Sequence, residues 1–289
     1  MAASRHLSMV MASAALVLAV AVSVHAQGKN NGKGNGHKSS PPSSSPLPSP
    51  TTGPAAGASP LAWLDDASLL APGSMSLTIS TMRWSGTDLS EVNFPIVQAA
   101  VGLTPRFQIG ATVPRIVGSA DGTGPVGGVG TSFIISKIAL LTGASGVKLA
   151  VSPVIEVLGE GAVQALAPGE RRTQFGLPVS MELGQGPARV FASTGFFSRG
   201  SWFAGGGVGV QATPTVRVSL SLTRSWANDS TTGVSRDRRE LSGGVSYVVR
   251  PQIGVYGALG RTIATTDDNG AGTTISGGVT FLLNARVTK

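Results

Sequence analysis

The side chains that most often carry out catalysis or bind transition metals are missing from most of this chain. Its three histidines are His6, His25 and His37, and it contains no cysteine. Nucleophilic catalysis by a Ser–His or Cys–His pair and zinc binding through histidine depend on these residues. From residue 38 onward the sequence therefore predicts no catalytic residue of these kinds, no metal site and no cofactor, and it argues against an enzyme.

Polar side chains with other capabilities occur at alternate positions of apolar segments. In the segment 172–183, Gln174 and Glu182 have the opposite parity from Phe175 and Leu177. Successive side chains of a strand point to opposite faces, so such residues form a polar face behind an apolar one. They can bond one another or line an aqueous path, and the pattern leaves both open. The residues concerned are Gln108, Lys148, Glu156, Gln174, Glu182, Arg217, Glu240 and Tyr256.

Arginine recurs at a fixed place along the apolar faces. In four segments it follows the first apolar residue by eight positions, as Arg83 follows Met75. An even offset keeps it on the apolar face, and on a tilted strand eight residues rise roughly 20 Å along the membrane normal, which places it at the edge of an apolar band. The sequence thus predicts an arginine collar of Arg83, Arg115, Arg171, Arg199, Arg224, Arg239 and Arg261, beside an aromatic belt of Trp84, Trp202 and Trp226.

Most of the residues named above lie on predicted strands of similar length. Each is close to the ~9–11 residues that a tilted strand needs to cross a membrane, against ~5–6 in soluble proteins. The high glycine content, 40 of 289 residues, also suits a sheet with many turns. Alternation predicts twelve strands, near 74–85, 92–103, 106–116, 128–140, 147–157, 172–183, 188–198, 201–212, 215–225, 239–249, 252–262 and 272–283.

The connections between these strands alternate between tight and long. Pro105, Pro214 and Pro251 mark tight turns, whereas 158–171 and 226–238 are long connections. Short periplasmic turns alternating with longer external loops are typical of outer-membrane barrels. The fold class predicted is therefore all-β, a transmembrane antiparallel up-and-down barrel of about twelve strands in the domain 61–289.

The first 60 residues have a different composition. Residues 1–26 predict a cleaved signal peptide, because the apolar run 10–24 is shorter than the ~20 residues of a membrane-spanning anchor and Val24-His25-Ala26 resembles a cleavage site. Residues 27–60 are Gly/Lys/Asn-rich and then Ser/Pro-rich, which predicts a disordered tether. Its lysines could instead contact an acidic periplasmic polymer. Residues 61–72 could form a short helical turn, with no function assigned.

The charge is concentrated outside the predicted barrel. The net charge is +8, but from residue 61 onward there are 18 basic and 14 acidic residues. No basic run is interleaved with aromatic residues, so the sequence predicts no nucleic-acid partner. The partners expected are outer-membrane lipid, lipopolysaccharide and small solutes, while the pattern identifies neither the solute nor an oligomeric state.

Four stretches occur in order across residues 73–283: GLTPRFQIGATVP, GPVGGVGTSFIISKIAL, FAGGGVGVQATPTVRVSLSLTRSW and LSGGVSYVVRPQIGVYGALG, the last followed by GGVTFLL. In content and order they resemble the bacterial outer-membrane β-barrel transporter family called "MetA-pathway of phenol degradation". The resemblance implies transport across the outer membrane. The family name implies the metabolism of aromatic compounds only loosely.

The function expected is a porin-like passive channel for small solutes, with hydrophobic or aromatic compounds among the candidates, in the bacterial outer membrane. A structural or surface-interaction barrel with a plugged lumen is the alternative. A barrel enzyme and a soluble secreted β-sandwich are further alternatives. Guanidinium groups bind phosphate in a bidentate manner, so the collar predicts contact with lipopolysaccharide, unless the arginines only snorkel at strand ends.

Overall fold

The computed structural model describes residues 67–87, 90–120, 127–143, 146–159, 171–198, 200–227, 237–266 and 270–284. The predicted leader and tether, residues 1–60, lie outside these ranges. Within the ranges all regular secondary structure is β-strand, and no helix is long and apolar enough to cross a membrane.

The described chain forms fourteen strand segments. In order they are β1 (Ser74–Ser85), β2 (Ser90–Thr104), β3 (Phe107–Ala120), β4 (Gly128–Val129), β5 (Thr131–Thr142), β6 (Val147–Val151), β7 (Val154–Leu158), β8 (Thr173–Gln185), β9 (Ala188–Phe197), β10 (Ser201–Gln211), β11 (Val216–Ala227), β12 (Asp237–Arg250), β13 (Ile253–Thr265) and β14 (Thr273–Asn284).

Two pairs of segments are continuous strands with a short interruption. β4 and β5 both pair with β3, and β6 and β7 lie end to end between β5 and β8. Pro153 interrupts the second pair, because proline has no N–H for the ladder. The neighbouring N–H of Ser152 still donates to the carbonyl of Pro178 at 2.8 Å. The fourteen segments therefore make twelve full-length strands.

The sheet closes on itself. All pairings are antiparallel, and each strand pairs with the next along the chain. β1 pairs with β14 from Ser74 opposite Asn284 to Ser85 opposite Thr273, which joins the last strand to the first. A closed barrel leaves no unpaired strand edge, and this is what allows strands to cross lipid. The predicted fold, a closed antiparallel barrel of twelve strands, is confirmed.

The barrel is apolar outside and largely polar inside. On β1, Ile79 points outward with 41% of its surface exposed, whereas Ser80 points inward and is 5% exposed. The same alternation occurs on β11, where Leu222 is 51% exposed and Thr223 is 7% exposed. An apolar exterior of this kind is stable where lipid replaces water.

The two ends of the barrel differ in the length of their connections. At one end, the short-turn end, Pro105-Arg106 and Gly186-Pro187 join neighbouring strands, and Gly186 takes a φ of +59°. Both barrel termini also lie at this end, where Ser74 faces Asn284. At the other end, the long-loop end, the connections are longer, as between Leu158 and Thr173. In outer-membrane barrels short turns face the periplasm and long loops face outside.

Candidate functional site

The lumen is the candidate site, and the structure places all eight polar residues expected there on the inward face. They form specific pairs rather than a loose lining. Gln174 donates to Glu156 through its side-chain amide, Lys148 bonds Glu182, and Tyr256 shares a hydrogen bond with Ser80. Arg217 lies on the inward face of β11 together with Thr223, and Gln108 and Glu240 are 8% and 9% exposed.

Four of the inward polar side chains gather at the short-turn end, and we call them the anchor cluster: Gln108, Lys137, Lys148 and Glu182. They come from four strands, β3, β5, β6 and β8. Lys148 Nζ donates to Glu182 Oε1 at 3.1 Å, and this ion pair is buried on the glutamate side. Lys137 is 2% exposed, so its charge is held away from bulk water. Buried charges of this kind require polar partners.

The segment before β1 supplies those partners. Ser68 Oγ donates to Glu182 Oε2 at 2.8 Å and accepts from Lys148 Nζ at 2.8 Å. The carbonyl oxygen of Ser68 accepts from Lys137 Nζ at 3.2 Å, and the Leu70 N–H donates to Gln108 Oε1 at 2.8 Å. The segment 67–71 therefore occupies the lumen at the short-turn end and bonds all four members of the anchor cluster.

Apolar contacts hold the same segment. Leu70 is 4% exposed and packs against Ala100 and Leu282. At Gly102, an added Cβ would lie 2.4 Å from the Ala71 carbonyl oxygen and 2.5 Å from that of Leu70. Only glycine permits this close approach of two backbones. The helical turn expected over 61–72 is not seen in the described part, 67–72, because the side chains and backbone bond the barrel wall instead.

The half of the lumen toward the long-loop end is partly filled by large apolar side chains. Their rings and branches pack together from strands β1 to β10, and Phe197 and Phe203 lie with ring centroids 6.3 Å apart. The sequence pattern had suggested a polar inner face alone. We call this group the apolar lumen cluster: Met82, Ile96, Phe133, Val154, Phe197 and Phe203.

The wall opposite this cluster consists mostly of small residues. On β12 the inward positions include Ser242 and Gly244, which are opposite Gly260 and Ala258 of β13. Ser219 and Ser221 on β11 are also small and point inward, whereas the large inward side chain of Tyr256 on β13 lies against Gly278. This small-residue wall, β11 to β14, makes the lumen asymmetric, because the apolar lumen cluster lies on the other side.

Charges in the lumen are separated along its axis. The half toward the long-loop end holds three carboxylates, Glu91, Glu156 and Glu240, on β2, β7 and β12. Among the described residues of this half, the cation that points inward is Arg238. Its guanidinium carbon lies 4.9 Å from the Trp84 ring centroid, and its Nε donates to the Thr262 hydroxyl oxygen. The short-turn end is instead predominantly basic, with Lys137, Lys148, Arg189 and Arg217 against Glu182. Rings of charge of this kind set ion preference in channels.

The structure places five of the seven predicted collar arginines on the outward face of the barrel. Arg83, Arg115, Arg224, Arg239 and Arg261 occupy outward positions near the long-loop end. Arg171 is exposed in the loop before β8, and Arg199 lies outside the described residues.

Two of the three belt tryptophans face outward, and the third does not. Trp202 and Trp226 are opposite each other on β10 and β11, and the ring centroids of Trp202 and Phe196 are 4.7 Å apart. Trp84 was wrongly placed in the belt. It is 9% exposed and points into the barrel over Gly272, because it follows the outward Arg83 and so has the opposite parity.

Nothing in the described part of the chain forms a metal centre. No group of three His, Cys, Asp or Glu side chains comes together there. Titratable side chains of the lumen instead bond varied polar partners, as Lys148 bonds Glu182 and Ser68, and Glu240 accepts from Ser242.

Comparison with known proteins identifies the fold. No family model and no curated protein matches the chain. Among solved structures it is similar to the COG4313 outer membrane channel from Pseudomonas putida F1, with a TM-score of 0.60 and 14% identity, over 75% of this chain and 98% of that one. It is also similar to the NanC porin (TM-score 0.54, 10% identity, 71% and 98%) and the KdgM porin (TM-score 0.51, 8% identity, 71% and 98%). The fold is thus that of outer-membrane channel and porin barrels.

Proposed function

We propose that the protein is a passive channel for small solutes in the bacterial outer membrane. The observation that carries this proposal is the asymmetric lumen, in which a small-residue wall faces the apolar lumen cluster. A lumen meant only to be filled would be packed on both sides, as in the smallest barrels. The channels and porins that share the fold support the same function, and the lack of histidine and cysteine in 38–289 supports a role other than catalysis.

The solutes favoured by this lumen are small and have an apolar surface. On one side a solute would meet Phe133, Phe203 and Met82, and on the other the hydroxyl groups and backbone of β11 to β14. Such a path accepts a ring or short alkyl group while its polar edge bonds serine. Aromatic compounds fit this description, in agreement with the family resemblance of GLTPRFQIGATVP and the later motifs.

A second candidate function is a structural or surface-interaction barrel with a plugged lumen. The segment 67–71 favours it, because that segment bonds the whole anchor cluster at the short-turn end. If the segment stays in the lumen, the barrel conducts little and its function depends on its outer surface. The two candidates differ in conductance and in their response to a block of the lumen.

The remaining proposals concern export. We propose that residues 1–26 direct the chain across the inner membrane and are removed, and that residues 27–60 form a tether in the periplasm. The short-turn end would face the periplasm, since the tether joins the barrel there and short turns face that side in barrels of this kind.

Adjacent glycines of β12 provide a sharp test of the channel. Gly244 faces inward, where an added Cβ would make only ordinary contacts with Ser219 and Ala258, whereas Gly243 faces outward. Gly244→Phe should reduce single-channel conductance in a planar bilayer several-fold, and Gly243→Phe should leave it unchanged. Uptake of a small aromatic solute into liposomes should fall in parallel. No conductance in the native protein, or equal effects of the two variants, would favour the plugged barrel.

A further inference from the structure

The outward arginines near the long-loop end are concentrated on one arc of the barrel, and Arg171 and Arg172 are exposed separately, just before β8. Five of them lie on the seven consecutive strands from β11 through β14 and β1 to β3, a width of about 29 Å across strands ~4.8 Å apart. Arg224 and Arg239 are directly opposite each other on β11 and β12. The facing arc, β8 to β10, presents Phe175, Phe196 and Trp202 outward instead. Five residues of the expected collar lie on this arc, and we call them the arginine arc: Arg83, Arg115, Arg224, Arg239 and Arg261.

The strand register places these five arginines at one height. Strands tilted by ~40° need an offset of about 1.2 residues per strand to stay level. Arg261 pairs with Thr273, and Thr273 pairs with Ser85. Since Ser85 lies two residues beyond Arg83, the offset between Arg261 and Arg83 is two residues over two strand steps. Arg83 pairs with Val92, and Val92 pairs with Gly118. Since Gly118 lies three residues beyond Arg115, the offset between Arg83 and Arg115 is three residues over two strand steps. Both offsets match the tilt in size and run in the same direction, so the charges form a level band.

The arc has an excess of positive charge at close range. In the described part of the chain its one outward carboxylate is Asp237, which accepts two bonds from Arg224, at 3.0 and 2.7 Å. Arg239 lies 3.9 Å from the same carboxylate and is half exposed. Arg261 donates to Thr273, a neutral group, at 2.6 Å. Opposed like charges destabilise a sheet unless an anion lies between or above them.

The surface beneath the arc is continuously apolar. Toward the short-turn end the same strands present Leu222, Leu241, Leu259, Ile275 and Ile79, each more than 40% exposed. A ligand for the whole surface would carry phosphate at one level and several acyl chains directly below it. Guanidinium groups bind phosphate with two parallel hydrogen bonds, and the adjacent Trp226 ring, 5.3 Å from Arg224, suits the interface.

We propose that the arginine arc is a binding site for the phosphate groups of lipopolysaccharide in the outer leaflet, with its acyl chains on the apolar face of β11 to β1. The site is on the outside of the barrel and does not depend on whether the lumen conducts. It also gives the barrel a preferred side toward structured lipid, since five arginines lie together on this arc, whereas the exposed arginines described beside β8 to β10 are Arg171 and Arg172.

The test compares two charge-matched variants of the full-length protein. Arg83→Gln with Arg261→Gln removes two positive charges from the arc. Arg106→Gln with Arg250→Gln removes two exposed positive charges at the short-turn end and is the control. Both should keep the heat-dependent mobility of the folded barrel. The first should bind purified lipopolysaccharide in detergent about tenfold more weakly, and the control should bind it as the native protein does.

Ligand arms separate the possible sources of phosphate. Dephosphorylated lipopolysaccharide should lose most of its affinity for the native barrel, and phosphatidylglycerol micelles or inorganic phosphate should not displace the intact lipid. Arg83→Lys with Arg261→Lys should bind with intermediate affinity, because lysine keeps the charge without the bidentate geometry. Equal losses in the arc variant and the control, full retention in the arc variant, or equal binding of dephosphorylated lipid would each overturn the proposal.

Discussion

Replacement of Gly102 by alanine should expel the segment 67–71 from the lumen. The added methyl group would lie 2.4 Å from the Ala71 carbonyl oxygen and 2.5 Å from that of Leu70, well inside van der Waals contact. The wall at this point is held by the pairing of Gly102 with Gln108 of β3 and by a hydrogen bond from the Gly73 N–H to the Gly102 carbonyl oxygen, so the segment is what must move. Gly184→Ala is the matched control, since its added Cβ meets no atom within 4 Å at the same end of the barrel.

The size of the effect follows from the contacts that the segment would lose. Burial of Leu70 contributes about 1.5–3 kcal/mol, and its hydrogen bond to Gln108 about 1 kcal/mol. The two side-chain bonds of Ser68 to Lys148 and Glu182 add about 1.5–3 kcal/mol each, less what the direct ion pair recovers. A clash that removes even about 3 kcal/mol of this total raises the released fraction on the order of a hundredfold.

Thiol labelling measures this release directly, because the chain has no cysteine of its own. Ala67→Cys places a thiol at a position that is 2% exposed, and Thr213→Cys provides an exposed reference at the same end. An impermeant maleimide should label Cys at 67 slowly in the native background, quickly with Gly102→Ala and slowly with Gly184→Ala. Conductance should rise with labelling. If the three backgrounds label alike, the close approach at Gly102 does not hold the segment.

Three further predictions address the fold, the topology and the lumen charges. Unheated protein should migrate differently from boiled protein in SDS gels, because no strand edge is open to the detergent; identical mobility and solubility without detergent would contradict the membrane barrel. An epitope at Ser230 should be stained on intact cells and one at Gln185 should not, and the reverse pattern would invert the barrel. Glu156→Gln with Glu240→Gln should shift ion selectivity toward anions, while Asp237→Asn, on the outer surface, should not; an unchanged reversal potential would place the current path away from these carboxylates.

Much of the fold was predictable because strand periodicity is a local property. Alternation on β11, from Val216 to Thr223, assigned each side chain to a face without knowledge of its neighbours. The same rule already excludes Trp84 from the belt, since Arg83 and Trp84 are adjacent in sequence and must face opposite sides. The error arose because Trp84 is close to Arg83 along the strand, and closeness along a strand does not place two residues on the same face.

The division of the lumen was not predictable in this way. Phe133, Phe197 and Phe203 have the parity of inward residues, but parity does not tell which side of a closed ring a strand occupies. The sequence likewise contains no signal that β11 to β14 form a single wall of mostly small residues, because their positions are brought together only by the pairing of successive strands.

The sequence by itself determined the strands, their faces, the order of short and long connections and the level of the arginines, since each follows from a period of two and a constant offset along one strand. Tertiary structure alone decided which residues meet across the lumen. Ser68 and Glu182 are 114 residues apart and bond because closure of the barrel brings β8 beside the segment before β1. Ring closure also makes β14 and β1 neighbours, and so brings Arg224, Arg239 and Arg261 to the same side of the barrel as Arg83 and Arg115.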